Sequence, residues 1–207
     1  MTTAIDQTAV EEFAGRAIGD VAGTMTTVFC ALGDKLGLFK ALAEGPATAA
    51  QLAERGGVDE RYALEWARGL TAADYLSLED DRFVLPAAHA TVLAQEDAAM
   101  FLGGGYQELG GMLQVLGRIA EAFREGSGVP QAAYPDDAYV GMSRFSRAWV
   151  DHHLLGDWMS LIPGLRERLD GGVSWADVGC GAGRRDQARS GVPGLDVHGL
   201  RRLPGTG

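Results

Sequence analysis

One stretch decides the fold class of this chain: Val173-Ser174-Trp175-Ala176-Asp177-Val178-Gly179-Cys180-Gly181-Ala182-Gly183. A mostly apolar run that ends in an acid predicts a buried strand, and the alternating glycines after it predict a sharp turn into a helix. Backbone N–H groups in such a turn are free to hold a ligand. The stretch therefore predicts a cofactor-binding turn.

The spacing of the glycines narrows the choice of cofactor. A dinucleotide-binding turn has Gly-x-Gly-x-x-Gly or Ala, but the third position here is Arg184, which is too bulky for close packing of the helix on the strand. A phosphate-binding Walker loop needs Gly-Lys followed by Ser or Thr, where this chain has Arg184 and Arg185. The spacing argues against both nucleotide sites.

The remaining pattern, Asp-x-Gly-x-Gly-x-Gly, resembles the first motif of class I S-adenosylmethionine-dependent methyltransferases. In that family the glycines let the backbone approach the methionine and ribose parts of the cofactor, and the acid helps to anchor the methionine end. The resemblance implies that S-adenosylmethionine (SAM) is the cofactor and that it is lined by Asp177, Gly179, Cys180, Gly181 and Gly183. A glycine-rich turn without a ligand is the alternative.

The composition predicts a folded protein without a membrane or nucleic-acid partner. The chain has 207 residues, is 46% hydrophobic, lacks an apolar run long enough to span a bilayer, and begins with acidic residues where a secretory signal would be basic. Cys30 and Cys180 form no Cys-x-x-Cys pair, so neither a disulfide framework nor a metal site is expected. The net charge of −10 disfavours nucleic acid. We expect a cytoplasmic protein.

The first third of the chain has a helical pattern with clear signals for where helices start and end. Residues 1–43 have a helical pattern, and the clearer helix, with apolar residues at three- and four-residue spacing, is predicted over residues 26–43. Thr48 and Gln51 have the spacing of a capping box for a second helix, which ends at the glycine pair 56–57. Asp59 is a good N-cap for a third helix that runs to about Ala73.

A predicted hairpin follows these helices and completes the pattern of a winged helix. Short strand patterns at 75–78 and 82–85 flank the acidic turn Glu79-Asp80-Asp81. The third helix also carries more acidic than basic residues. Because DNA phosphates would be repelled by these charges, we do not expect this winged helix to recognise DNA.

Residues 36–48, Leu-Gly-Leu-Phe-Lys-Ala-Leu-Ala-Glu-Gly-Pro-Ala-Thr, and the helix-turn-helix after them resemble the N-terminal domain of winged-helix small-molecule methyltransferases. That resemblance implies a homodimer formed through the N-terminal helices and a small-molecule substrate. The predicted fold is a mainly α winged-helix domain (1–95), linking helices that cover a pocket (96–171), and the start of an incomplete Rossmann-like α/β methyltransferase domain (172–207).

Two further helices are predicted between the hairpin and the middle of the chain. The first covers residues 87–94, and the second follows a bend at the glycines 103–105. The second helix has an unbroken apolar stripe, which we interpret as core: Leu109, Met112, Leu113, Leu116, Ile119 and Phe123.

A helix predicted over residues 136–153 carries the most chemically suggestive side chains outside the glycine turn, namely Tyr139, Met142, Arg144, Phe145, Trp149, His152 and His153. By the resemblance, such side chains could contact cofactor or substrate, which makes His152 and His153 weak candidates for a catalytic base. The preferred interpretation is that Phe145 and Trp149 are core and that the histidines are solvated or merely hydrogen-bonded. Adjacent helical histidines diverge by about 100°, so they do not form a metal site.

The last 24 residues do not continue the expected domain. After Gly183, where an amphipathic helix should begin, the chain is rich in Arg, Gly and Pro. Residues 184–207 have a net charge of +3, whereas residues 1–183 have −13. The use of 16 Arg against two Lys suggests a GC-rich gene, and a one-base offset from Arg184 permits a helix, a turn and a strand ending in an acid. A shifted reading frame is therefore our hypothesis.

Two functional predictions follow. The first is a small-molecule methyltransferase whose present form is inactive, because one strand and one glycine turn cannot enclose the cofactor, and whose unpaired strand would be an aggregation liability. The second is a non-enzymatic dimerising or transcription-regulatory winged-helix protein.

Overall fold

The structure, a computed structural model, describes residues 5–171, 174–178 and 196–200. The chain forms two compact units, Met1–Ala94 and Gln95–Gly207. In chain order, the first unit contains α1 (Gln7–Lys35), α2 (Leu38–Ala43), α3 (Ala49–Gly56), α4 (Glu60–Ala72), β1 (Ser77–Glu79), β2 (Arg82–Val84) and α5 (Ala87–Leu93).

The predicted continuous helix over residues 26–43 is wrong. Helix α1 starts much earlier, at Gln7, and ends at Lys35, and α2 begins only at Leu38. The break lies at Gly37, whose φ of 70° is left-handed and stops helical hydrogen bonding. The periodicity of apolar residues did not predict this break, because the apolar spacing continues across it.

The caps and the hairpin of the winged helix are confirmed. The Thr48 and Gln51 side chains form both hydrogen bonds of a capping box, and Asp59 accepts the first N–H groups of α4. Strands β1 and β2 pair antiparallel, with Ser77 opposite Val84. Asp80 and Asp81, with φ of 46° and 59°, form the tight turn between the strands.

An aromatic contact forms the centre of the first unit. The Trp66 ring meets the Phe39 ring edge-on, with centroids 5.1 Å apart, and its Nε1 donates to the backbone oxygen of Phe29 at 2.8 Å. Gly33 allows this approach, since a Cβ there would lie 2.6 Å from the Trp66 ring. The buried indole thus has both an apolar neighbour and a hydrogen-bond acceptor.

The N-terminal part of α1 is exposed. Residues 7–16 and 18–25 are all exposed, and they include Val10, Phe13, Ile18, Val21 and Met25. These apolar side chains recur at three-, four- and five-residue spacing along one side of the helix, which is a pattern typical of helices that pack on a partner.

The second unit continues with α6 (Gly103–Leu113), α7 (Leu116–Glu125), a 3₁₀ turn (Gln131–Ala133), α8 (Asp136–His153), a π turn (Leu154–Trp158), a 3₁₀ turn (Met159–Leu161), α9 (Leu165–Asp170), β3 (Ser174–Val178) and β4 (Asp196–Leu200). The expected bend at glycines 103–105 is wrong, because these residues form the first turn of α6. In the described part of the chain, no helix is both long and apolar enough to cross a bilayer.

Helices α6 and α8 pack backbone against backbone through glycines. A Cβ on Gly104 would overlap the backbone nitrogen of Phe145, and one on Gly141 would overlap the backbone nitrogen of Glu108 and lie 2.7 Å from the oxygen of Gly104. Gly111 makes a similar approach to Ala138, 2.5 Å from its nitrogen. Three glycines on facing helix surfaces therefore set the distance between the two helices.

The interpretation of the apolar stripe as core is also wrong. The predicted helix is interrupted between Leu113 and Leu116, and most stripe residues are exposed: Leu109, Met112, Leu113, Leu116 and Phe123. The reason lies in the glycine contact. Helix α6 buries its glycine side against α8, so its larger apolar side chains point elsewhere.

Strand β3 has a partner, contrary to the expected unpaired edge. It pairs parallel with β4, with Ser174 opposite Asp196 and Val178 opposite Leu200. A residue pattern that we did not interpret as a strand thus supplies the hydrogen bonds of β3. The parallel arrangement is that of a sheet whose strands are joined by crossovers.

We expect Gly141→Ala to destabilise the second unit by about 1–3 kcal/mol, because the added methyl group meets the backbone of α6. Gly110→Ala is the matched control. Its Cβ would have no neighbour within 4 Å, so this helical substitution should be neutral or stabilise by about 0.5–1 kcal/mol. Urea unfolding followed by circular dichroism measures both, and equal midpoints for the two variants would contradict the glycine-contact account.

Candidate functional site

Strand β3 presents the first candidate site at its carboxyl end. Asp177 lies within β3, opposite Gly199 of β4, and the strand ends at Val178, directly before the glycine turn. Ligands of parallel α/β sheets bind outside the carboxyl ends of the strands. The other predicted cofactor residues, Gly179, Cys180, Gly181 and Gly183, lie outside the described residues.

The residues of this site fit only part of SAM. The glycine turn and Asp177 have the right chemistry for the methionine end, because backbone N–H groups and a carboxylate can bind its carboxylate and ammonium groups. Rossmann-like folds hold the ribose hydroxyls with an acid after the second strand. Residues 201–207, after β4, contain no Asp or Glu, and Asp196 is at the amino end of that strand.

The second candidate site is a cluster of three rings and one carboxylate at the end of α8, which we name the tryptophan–histidine cluster: Trp149, His153, Asp157 and Trp158. Ring centroids are 6.0 Å apart for Trp149 and His153, 5.2 Å for Trp149 and Trp158, and 6.1 Å for His153 and Trp158. The Trp149 ring is nearly perpendicular to the other two, whereas the imidazole is within 23° of parallel to the Trp158 ring.

The carboxylate of Asp157 orients the imidazole of His153. Nδ1 of His153 lies 2.5 Å from Oδ2 of Asp157. A carboxylate beside Nδ1 accepts a hydrogen bond from Nδ1–H, so the lone pair of a neutral imidazole is on Nε2. Such a pair has the arrangement of a general base and the group that orients it.

The π turn brings these side chains together. Residues 154–158 follow α8 directly and contain Asp157 and Trp158. A π turn adds one residue to a helical turn, and such turns are frequent at functional sites. The spacing Trp149, His153, Asp157 is four residues at each step, which would have singled out Asp157 on the sequence alone.

The preferred interpretation of this helix is confirmed for the two histidines and wrong for the two aromatic residues. His153 is hydrogen-bonded, as expected. Phe145 and Trp149 are not core, because 43% and 53% of their surfaces are exposed. The adjacent His152 is exposed. In the described ranges, no group of three or more His, Cys, Asp or Glu side chains could hold a metal ion.

Other predicted candidates on α8 have structural contacts. Arg144 donates to Gln107 at 2.7 Å and to Glu96 at 3.1 Å, and its guanidinium lies over the Phe101 ring. Tyr139 donates from its hydroxyl to the backbone oxygen of Gln131 at 2.5 Å, and Met142 is exposed. Arg144 thus connects α8 to α6 and to Glu96, near the start of the second unit.

Part of the chain matches a known domain family. Residues 24–95 match the family described as Rv2258c-like winged HTH domain. No curated protein sequence matches the chain significantly.

Solved methyltransferase structures resemble nearly the whole chain. The mitomycin 7-O-methyltransferase MmcR has a TM-score of 0.68 at 20% identity, over 95% of this chain and 60% of that one. Human N-acetylserotonin methyltransferase in complex with SAM has 0.64 at 20%, over 96% and 60%. N,N-8-amino-8-demethyl-D-riboflavin dimethyltransferase from Streptomyces davawensis has 0.56 at 21%, over 90% and 58%. The chain therefore spans about three fifths of the length of these structures.

The chain thus has an N-terminal segment that matches the Rv2258c-like winged HTH domain, and its fold is similar to that of solved methyltransferase structures over nearly its whole length. The predicted fold class is confirmed.

We expect His153 to be present as the Nδ1–H tautomer when it is neutral, because the carboxylate of Asp157 can accept a hydrogen bond from Nδ1–H. The ¹⁵N chemical shifts of the ring nitrogens, measured at mildly alkaline pH, report the tautomer directly. In Asp157→Asn the acceptor loses its charge, so the population should move toward the Nε2–H form. An unchanged tautomer in this variant would mean that Asp157 does not orient the ring.

Proposed function

We propose that this chain has the architecture of a SAM-dependent methyltransferase that acts on a small molecule. The observation that carries the proposal is a parallel strand, β3, whose carboxyl end leads into the Asp-x-Gly-x-Gly-x-Gly turn, in a chain with a winged-helix N-terminal domain. The structural neighbours are named as methyltransferases of mitomycin, N-acetylserotonin and a riboflavin derivative, which supports a small-molecule acceptor.

The roles of the chain's own residues follow from their chemistry. We assign residues 1–95 to dimerisation, the helices of 96–171 to the acceptor pocket and residues 172–207 to cofactor binding. Asp177 and the backbone of Gly179, Cys180, Gly181 and Gly183 would hold the methionine end of SAM, which supplies an electrophilic methyl group when bound. Most of the rate enhancement of such a transfer comes from positioning, with a base needed only for an acceptor that must lose a proton. His153 suits that role better than His152, because Asp157 orients it.

We also propose that the chain in its present form does not catalyse methyl transfer. The lack of an acid after β4 leaves the ribose hydroxyls without their usual partner, and two arginines stand there instead. The Arg-rich composition after Gly183 supports a shifted reading frame as the origin of this difference. The working enzyme would then be the product of the restored frame.

Calorimetric titration of this chain with SAM should give no binding in the micromolar range. The coding DNA, read in all frames beyond codon 183, should continue with strand and helix periodicity in another frame, and the protein from that frame should bind SAM. Asp177→Ala in the restored protein should weaken binding about tenfold or more, through loss of a charge-assisted contact. Micromolar SAM binding by the present chain would contradict its proposed inactivity. If no reading frame continues with strand and helix periodicity, the proposal that the gene encodes a methyltransferase would be contradicted.

We further propose that the chain forms a homodimer through α1. An isolated helix is marginally stable in water, and the first two thirds of α1 have almost no buried residues and a row of exposed apolar side chains. A second copy of the same helix would cover this row by the symmetric packing usual in homodimers.

Val21→Glu should therefore shift the chain from dimer to monomer in analytical ultracentrifugation, because it places a charge in the middle of the apolar row. Gly19→Glu is the matched control. It adds the same charge two residues away, on the opposite side of α1, where a side chain meets no neighbour within 4 Å. A dimer that survives Val21→Glu, or is lost equally in both variants, would contradict an interface on this row.

A regulatory winged-helix protein without enzymatic activity is the second candidate, and the winged-helix family match supports its N-terminal part. The exposed acids of α4 and of the hairpin turn argue against DNA as its partner, since they would face the phosphates: Asp59, Glu60, Glu65, Glu79, Asp80 and Asp81. Duplex DNA binding with a steep salt dependence would favour this candidate over the enzyme.

A further inference from the structure

Residues 95–102, which we name the joining segment, connect the first unit to the helices of the second. The first unit ends directly before this segment, and α6 begins directly after it. Its backbone folds into two turns, in which the amide of Ala98 donates to the oxygen of Gln95 at 3.1 Å and the amide of Phe101 donates to the oxygen of Ala98 at 3.0 Å. Irregular segments of this kind depend on side-chain contacts for a fixed position.

The two ends of the joining segment are held in different ways. Near the C-terminal end, the Phe101 side chain is buried, so removal of its ring from the unit would expose apolar surface to water. Near the N-terminal end, Glu96 is exposed, and its Oε1 lies 3.1 Å from Nη2 of Arg144 on α8. The C-terminal end is thus held by burial, and the N-terminal end by an ion pair.

One side chain, that of Arg144, contacts both ends of the joining segment. Its guanidinium lies over the Phe101 ring, 5.5 Å from the centroid, while Nη2 pairs with Glu96. Nη1 donates to Oε1 of Gln107 at 2.7 Å, and the amide of Gln107 donates to Oδ1 of Asp137 at 2.9 Å. Because the guanidinium is planar and has donors on several edges, one arginine holds an aromatic face, an amide and a carboxylate at the same time.

The ion pair between Arg144 and Glu96 is the weaker of the two attachments. The side chains are 24% and 43% exposed, respectively, so water and dissolved ions reach the pair and screen its attraction. Ion pairs of this exposure contribute little to stability, whereas the ring of Phe101 is shielded from water. The N-terminal end of the joining segment therefore detaches from α8 at a lower free-energy cost than the C-terminal end.

We propose that Arg144 and Glu96 form a latch that switches the connection between the two units from fixed to flexible. When the latch is closed, the fixed part of the second unit begins at Glu96. When the latch opens, residues 95–100 are released and Phe101 becomes the first anchored residue, so the chain that joins the units becomes longer and more flexible. Hinges between domains are short irregular segments of this kind. High ionic strength opens the latch, because salt screens the ion pair but not the burial of Phe101.

Amide hydrogen exchange of the full chain, followed residue by residue by NMR, tests the latch. The amide of Ala98 measures opening of the joining segment, and the amide of Tyr106, which donates to the oxygen of Leu102 at 3.1 Å, measures opening of α6. We expect Glu96→Gln to lower the protection factor of Ala98 about threefold, through loss of the ion pair, and to leave that of Tyr106 unchanged. Asp97→Asn is the matched control. It removes the same charge from an exposed neighbouring position and should change neither amide.

The dependence on salt separates an ion-pair latch from simple packing. In the unmodified chain, an increase in NaCl from about 0.05 M to about 0.5 M should lower the protection factor of Ala98 about twofold. In Glu96→Gln this dependence should disappear, whereas in Asp97→Asn it should remain. Arg144→Gln removes the contacts to both ends and should lower the protection factor about tenfold. Addition of Glu96→Gln to that variant should have no further effect, because the two substitutions break the same pair.

The latch is overturned if Glu96→Gln and Asp97→Asn have equal effects on Ala98, or if salt leaves its protection factor in the unmodified chain unchanged. It is also overturned if Tyr106 loses as much protection as Ala98 in Glu96→Gln, since the whole unit would then have loosened. The salt titration of the unmodified chain needs no substitution, so it tests the latch even if Arg144→Gln fails to fold. Neither SAM nor an acceptor takes part, so the latch and the proposed methyl transfer can fail separately.

Discussion

The close approach of helices α6 and α8 is the constraint on which the second unit depends. Gly104, Gly111 and Gly141 lie where a single methyl group would meet the backbone of the facing helix. Helices whose backbones lie this close together cannot easily slide past each other, because packed interiors respond to the addition of even one methylene. Helix α8 is thereby fixed over much of its length, and with it the start of the π turn that carries part of the tryptophan–histidine cluster.

The contact between α6 and α8 also explains why large apolar side chains of α6 are exposed. Where glycines of α6 face the neighbouring helix, the larger apolar side chains Leu109, Met112 and Leu113 lie on other sides of α6 and are exposed. Arg144 reinforces the arrangement, since its guanidinium joins Gln107 of α6 to Glu96 and lies over the Phe101 ring. Glycine contacts and polar contacts therefore both help to hold α8 in place.

Local signals in the sequence predicted the winged helix well. The capping box at Thr48, the N-cap at Asp59 and the hairpin around Asp80 depend on residues only a few positions apart, so their chemistry is visible without the fold. The longer helices were predicted less well. A left-handed Gly37 interrupts an apolar pattern that continues on both sides of it, and the stripe of α6 and α7 has the same spacing whether it is buried or exposed.

The sequence by itself determined the winged-helix class and the helix that carries the histidines, because each rests on spacing or on caps within a short segment. The glycine turn after Asp177 stays a prediction, since it lies outside the described residues. Only the tertiary structure decided which side of α6 is buried, that residues 196–200 pair with β3, and that Asp157 orients His153 beside two tryptophans. The physical reason is the same in each case. A side chain's periodic position says which neighbours share its face, whereas burial, strand pairing and ring contacts depend on what the rest of the chain places against that face.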